Sequence, residues 1–137
     1  MVTRRLPVHA SALILIAIGG ILGSNLRYVL GAVAGEGLLV TILVNGAGSV
    51  GLGLLLFDVR ADERLPKRVR YLFGTGFLAS FTTYSTFIAD TATIGGLSAI
   101  AYVGASYAAG IGGILLSRRL VETHSERGVA AVKPGDE

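Results

Sequence analysis

The sequence has no cysteine, so disulfides, thiolate metal sites and cysteine nucleophiles are excluded at the outset. Charge is scarce as well: 15% of the 137 residues are Asp, Glu, Lys or Arg against 52% hydrophobic, with a mean hydropathy of +0.67. From Leu6 to Phe57 the only ionisable side chains besides tyrosine are His9, Arg27 and Glu36. A helix in a soluble domain needs a polar face, and these segments have none. Nor do the apolar runs alternate with polar positions, as barrel strands would over about ten residues. No nucleophile–base pair or metal-ligand cluster stands inside the apolar segments, which argues against an enzyme. The net charge of +3 is modest, and its basic residues flank apolar segments instead of forming a nucleic-acid-binding stripe.

What is present is apolar length. Four segments reach the roughly 20 helical residues that cross a bilayer core of about 30 Å. They cover about residues 10–30, 38–57, 71–93 and 97–116, in one membrane domain. Arg4 and Arg5 precede the first run as they would in a signal peptide, but the run continues through Leu30 with no clear cleavage site, so it is expected to be a retained helix. Residues 58–70 are charged, contain Pro66 and are expected to be a water-exposed loop, and Gly95 and Gly96 mark a turn. The tail at 117–137 is polar, ends KPGDE and is expected to be disordered. The fold expected is therefore all-α and integral to a membrane. Its 20 glycines suit helices whose backbones approach closely where lipid supplies no hydrophobic drive.

The third segment is unlike the others. Its centre, GFLASFTTYSTF at 76–87, has hydroxyls at Thr82, Thr83, Ser85 and Thr86. So polar a stretch must face protein or water. It is also a candidate broken helix, whose freed carbonyls are able to hold a cation. Phe81, Tyr84 and Phe87 recur every third residue and are expected to share a face. That stripe is either packing or a set of positive ring edges for an anion. Asn45, with Ser49 and Gly53 on the same helical face, either ties helices together or lines a path as an anion donor. Tyr102, Ser106 and Gly110 form a stripe of small and polar residues with the same two readings. Arg27 is either a snorkelling interfacial charge or the positive residue of an aqueous vestibule. Asp90, the one acid within these segments, is either interfacial or an ion-path carboxylate.

Four motifs in order resemble one family. GGILGSNLRY (19–28) is similar to GGxxGxxxRY, and TILVNGAGSVGLG (41–53) to TLxVNxxGSFxxG. TGFLASFTTYSTF (75–87) is similar to TGFxGGxTTFSTF, the most specific of them, and YVGASYAAG (102–110) to YVxxSxxxG. These are patterns of the Fluc (CrcB) family of fluoride-specific channels, and the match covers about two thirds of the chain. The resemblance implies an antiparallel dimer of four-helix subunits, with the third helix broken near its centre and two pores along the interface. It implies that Asn45, Tyr84 and Phe87 contact fluoride, that Thr83, Thr86, Tyr102 and Ser106 extend the polar path, and that Arg27 sits by the vestibule. It implies a structural sodium ion held by the backbone carbonyls of Ala79 and Thr82. Passive flow through such a pore lowers cytoplasmic fluoride. The chain departs from the family at Ala79 and Ser80, where paired glycines are expected, at Tyr84 for phenylalanine, at Asp90 for glutamate and at Gly110 for serine.

A proton-coupled multidrug exporter is also a dimer of four-helix chains. It needs an embedded carboxylate, ordinarily in the first helix, where this chain has only Arg27. A subunit with no transport role would explain the glycines but not the polar third segment. The charge distribution adds an expectation about orientation. Of twelve lysines and arginines, Arg27 lies in a span and the other eleven lie outside. With four crossings those eleven share one side, which places both termini in the cytoplasm of a cell-membrane protein. So strong a bias suits a chain inserted one way and paired with an oppositely oriented related subunit, as an alternative to a homodimer.

Overall fold

The computed structural model describes residues 8–35, 37–62 and 65–131. Arg4, Arg5, Glu36, Arg64, Lys133 and the rest of the final six residues lie outside them. All regular structure among the described residues is helical. Helix α1 is Val8–Ala34 and α2 is Leu38–Asp62. Then come a single turn, α3 (Lys67–Val69), a π-helix (Arg70–Leu78), a second short turn, α4 (Ala79–Phe81), and helix α5 (Tyr84–Ile94). Helix α6 is Gly96–Ala131.

Among the described residues, three stretches are long and apolar enough to cross a membrane: Ala10–Ala34, Leu38–Phe57 and Gly96–Thr123. The remaining segment, expected at 71–93, is divided. Its helical path stops after Phe81, runs extended through Thr82 (φ −72°, ψ 155°) and Thr83 (φ −138°, ψ 116°), and restarts at Tyr84. The expected break is therefore present. It also corrects the aromatic stripe. Phe81 lies before the break, stacked on Phe77 at 5.8 Å, whereas Tyr84 and Phe87 lie after it, so the three share no continuous helical face.

The ends of the helices depart further from expectation. Helix α2 continues through Asp62 into the stretch expected to be loop. The tail expected to be disordered from residue 117 is instead helical to Ala131. A local interaction favours that extension: Arg118 Nε donates to Glu122 Oε1 at 2.7 Å in an i,i+4 ion pair. The α5–α6 turn is made by Gly95 and Gly96 at φ 59° and 56°, a region that side chains disfavour.

Two parallel pairs make up the packing. Gly19 of α1 lies against Leu72, Gly76 and Phe77 of the π-helix, and Gly23 lies against Phe77 and Phe81, so the two elements run the same way. The approach is backbone on backbone: a Cβ on Gly19 would enter the Leu72 carbonyl, and one on Gly76 would stand 2.6 Å from the Ile16 carbonyl. Helices α2 and α6 are likewise parallel, with Gly46 beside Ala109 and Gly53 beside Ser117. Polarity is inverted relative to a soluble domain. The buried hydrophobic residues among those described are Val44, Phe81 and Tyr102, while Leu13, Ile21, Leu39 and Ile100 are each at least 60% exposed. Such an exterior suits hydrocarbon or another chain.

Candidate ion path

The break in the third segment organises the site. Asn45 reaches from α2 and makes two hydrogen bonds to one residue: Nδ2 donates to the Thr83 carbonyl at 2.9 Å, and the Thr83 N–H donates to Oδ1 at 2.8 Å. Thr83 then caps α5, its Oγ1 accepting the Thr86 N–H at 3.2 Å and donating to Thr86 Oγ1 at 2.9 Å. In an unbroken helix the Thr83 and Thr86 N–H groups would serve the carbonyls of Ala79 and Thr82. Here Asn45 and Thr83 take them, so those two carbonyls lose their helical donors.

Two cavities meet at the break. One, of about 590 Å³, is lined by Asn45, Ser49, Ala79, Thr82, Thr83, Tyr84, Phe87, Ser106, Tyr107 and Gly110 among others. The other, of about 600 Å³, is lined by Arg27, Tyr28, Thr41, Thr83, Thr86 and Asp90 together with residues at the α1–α2 turn. Thr83 belongs to both. Within the described residues, the buried side-chain polar atoms that lack a hydrogen-bond partner are Arg27 Nε and Ser106 Oγ. Each lines one of these cavities. An unpaired buried donor is costly, so both positions favour an acceptor from outside the chain.

Phe87 is the aromatic hub of the first cavity. Its ring centroid lies 5.8 Å from that of Tyr84, 5.6 Å from Tyr102 and 6.4 Å from Tyr107, the last in an edge-to-face arrangement. Tyr84 is 73% exposed, on the outer lip. Asn45 keeps a second amide proton after its bond to Thr83, because the NH₂ group carries two.

Most of the residues anticipated from sequence are thus brought together: Asn45, Thr83, Tyr84, Phe87 and Ser106 at one cavity, and Arg27, Thr83 and Thr86 at the other. Tyr102 is not. It is 4% exposed, lines neither cavity, and donates its hydroxyl to Asp90 Oδ2 at 3.0 Å. Gly53 leaves the Asn45–Ser49 face for the α6 contact. Thr41 and Tyr107 were not anticipated. A signal for Thr41 was available, since it stands four residues before Asn45 and so one turn away on the same face.

The chain is similar to known proteins over most of its length. Residues 14–118 match the family described as CrcB-like protein, Camphor Resistance (CrcB). The chain is 40% identical over 114 residues to fluoride-specific ion channel FluC 1 of Haloarcula marismortui, covering 83% of this chain and 88% of that one. It is 40% identical over 120 residues to FluC 2 of Halobacterium salinarum, covering 86% and 92%. It is 37% identical to FluC 2 of Rhodococcus jostii, covering 78% and 96%. With the broken third segment, the cavities that meet there and a match over most of its length, the chain belongs to the CrcB family of membrane proteins.

Proposed function

We propose that this chain forms a fluoride-selective passive channel that lowers cytoplasmic fluoride. The observation that carries this reading is the pair of orphaned donors, Arg27 Nε and Ser106 Oγ, in two cavities that share Thr83. Fluoride is small and strongly hydrated, so a selective pore must replace its water with close donors and positive ring edges. The route runs from the Arg27 vestibule past Thr86 and Thr83 to the second Asn45 amide proton, Phe87, Tyr84 and Ser106. That its relatives in Haloarcula marismortui and Halobacterium salinarum are fluoride-specific ion channels supports the choice of anion.

In this reading the divided third segment also crosses, making four crossings in all, and the working unit is an antiparallel dimer. The exposed aromatic lip at Tyr84 and the apolar exterior favour a second chain against this face. A structural sodium ion fits the Ala79 and Thr82 carbonyls, neutral hard oxygens released by the break. Those two do not complete a coordination shell, and a dimer centre would supply the rest. Both termini are cytoplasmic by the charge bias, which also favours an oppositely oriented related subunit as partner. The test is efflux from liposomes containing the purified protein, with a fluoride-selective electrode and chloride as control. Fluoride efflux without chloride efflux is expected, and equal permeability to both would overturn selectivity.

A further inference from the structure

Helix α5 carries Thr86 and Phe87, yet it buries none of its eleven residues. Apart from the Phe87 ring against Tyr102 and Tyr107, little apolar packing holds it, so its polar contacts carry much of its placement. At the N-terminal end the contact is the Asn45–Thr83 pair. Toward the C-terminal end it is Asp90, one turn beyond Phe87.

Asp90 Oδ2 accepts two hydroxyl protons from two different helices, from Thr41 Oγ1 of α2 at 3.0 Å and from Tyr102 of α6 at 3.0 Å. Another acceptor near Thr41 is the Gly37 carbonyl at 3.5 Å, a longer contact than the one to Asp90. Both donors are buried, Thr41 at 6% and Tyr102 at 4% exposure, while Asp90 itself is partly exposed at the Arg27 cavity. A single carboxyl oxygen has lone pairs enough to accept both protons at once. The Tyr102 ring in turn lies 5.6 Å from Phe87.

We infer that Asp90 is a positioning residue, which binds α5 to α2 and α6 through Thr41 and Tyr102 and thereby fixes the Phe87 ring at the cavity wall. Tyr102 belongs to this clamp: its one proton is committed to Asp90 and does not serve a passing anion. The consequence for flux rests on the channel reading above, but the mechanical claim does not.

Because the chain lacks cysteine, one label reports on α5 directly. Ala92→Cys places a nitroxide on an exposed residue of that helix, and its mobility is read by electron paramagnetic resonance in liposomes. Asp90→Leu, which keeps bulk and removes the acceptor, should mobilise the label and reduce fluoride efflux about tenfold. Asp90→Glu should restore both. In a Thr41→Val, Tyr102→Phe background, where no clamp is left to break, adding Asp90→Leu should change label mobility and efflux less than about twofold. Unchanged mobility in Asp90→Leu would overturn the clamp. So would a large further loss of efflux in the double background, which would mean that the carboxylate acts on the ion itself. If the wild-type protein passes no fluoride, the channel reading fails, while label mobility still decides the clamp.

Discussion

Asn45 and Thr83 are joined by two hydrogen bonds, amide to carbonyl at 2.9 Å and N–H to amide oxygen at 2.8 Å, across 38 positions of sequence. One side chain thus replaces the backbone pairing that the break removes from Thr83. The two readings of a lone mid-membrane amide, tie or path, prove compatible, because the bond to the Thr83 carbonyl uses only one of two amide protons.

Asn45→Asp should therefore have two effects. The aspartate still accepts from the Thr83 N–H but cannot donate to its carbonyl, so stability should fall by about 1–3 kcal/mol. It also adds negative charge to the proposed path, which should abolish fluoride efflux. Thermal unfolding in detergent and liposome efflux measure the two separately. Normal flux would remove Asn45 from the path.

Phe87→Ile should leave the chain folded but lower fluoride efflux about tenfold or more, since a branched aliphatic has no positive ring edge. The aromatic contacts with Tyr84, Tyr102 and Tyr107 disappear with it, so circular dichroism and the unfolding midpoint should be measured beside flux. Full flux in a folded variant would reduce Phe87 to packing.

Tyr84→Phe removes a hydroxyl from an exposed ring on the cavity lip. A donor there holds the ion longer, and conduction needs release as well as binding. Efflux should stay the same or rise. A severe loss would make the hydroxyl a required part of the path.

Much of this was legible in the sequence because hydrocarbon makes polarity informative. Asn45, the hydroxyls of 82–86 and Arg27 stand out against apolar neighbours, and each is at the break or a cavity. The break itself followed from a polar centre flanked by apolar helix. Spacing misled where the chain changes direction. Phe81, Tyr84 and Phe87 share a face only if the helix is continuous, and Thr82 and Thr83 interrupt it. Tyr102 was misplaced for another reason: residues twelve apart in sequence, Asp90 and Tyr102, meet only after the α5–α6 turn, and a stripe on one helix does not reveal a partner on the next. The helical tail shows that a polar composition alone does not exclude helix when i,i+4 pairs such as Arg118–Glu122 are present.

The α2–α6 seam yields a stability prediction. Ser117 is fully buried, its Oγ donates to the Ile114 carbonyl at 2.7 Å, and a Cβ on Gly53 would collide with that Oγ. Gly53→Ala should cost about 1–3 kcal/mol by overpacking. Ser117→Ala in the same chain should recover part of the loss, though its Cβ remains 2.9 Å from the new methyl position. An unfolding midpoint unchanged in Gly53→Ala would mean that the helices separate at little cost.

The distribution of charge makes the last prediction, about orientation. Lys67, Arg68 and Arg70 lie at the start of the divided segment, and Arg118 and Arg119 lie near the C-terminal end of the Gly96–Thr123 stretch. Because α1 runs parallel to the π-helix and α2 parallel to α6, these residues gather at the same end of the structure. If the divided segment also crosses, the sequence puts Arg4, Arg5, Arg60, Arg64, Arg127 and Lys133 on that same side, and the turns at residues 31–37 and around Gly95 contain no lysine or arginine. Basic residues resist translocation, so the chain should insert with this end and both termini in the cytoplasm. A homodimer of antiparallel subunits needs half the copies inserted the other way, against eleven positive charges. Expressed alone in a fluoride-sensitive host, the chain should show termini on one face only and confer little resistance, and an oppositely biased relative should restore it. Termini accessible from both faces, with full resistance from the single chain, would establish a homodimer instead. Replacing Lys67, Arg68, Arg70, Arg118 and Arg119 with glutamine provides the control: if charge sets the orientation, the chain should begin to appear both ways round.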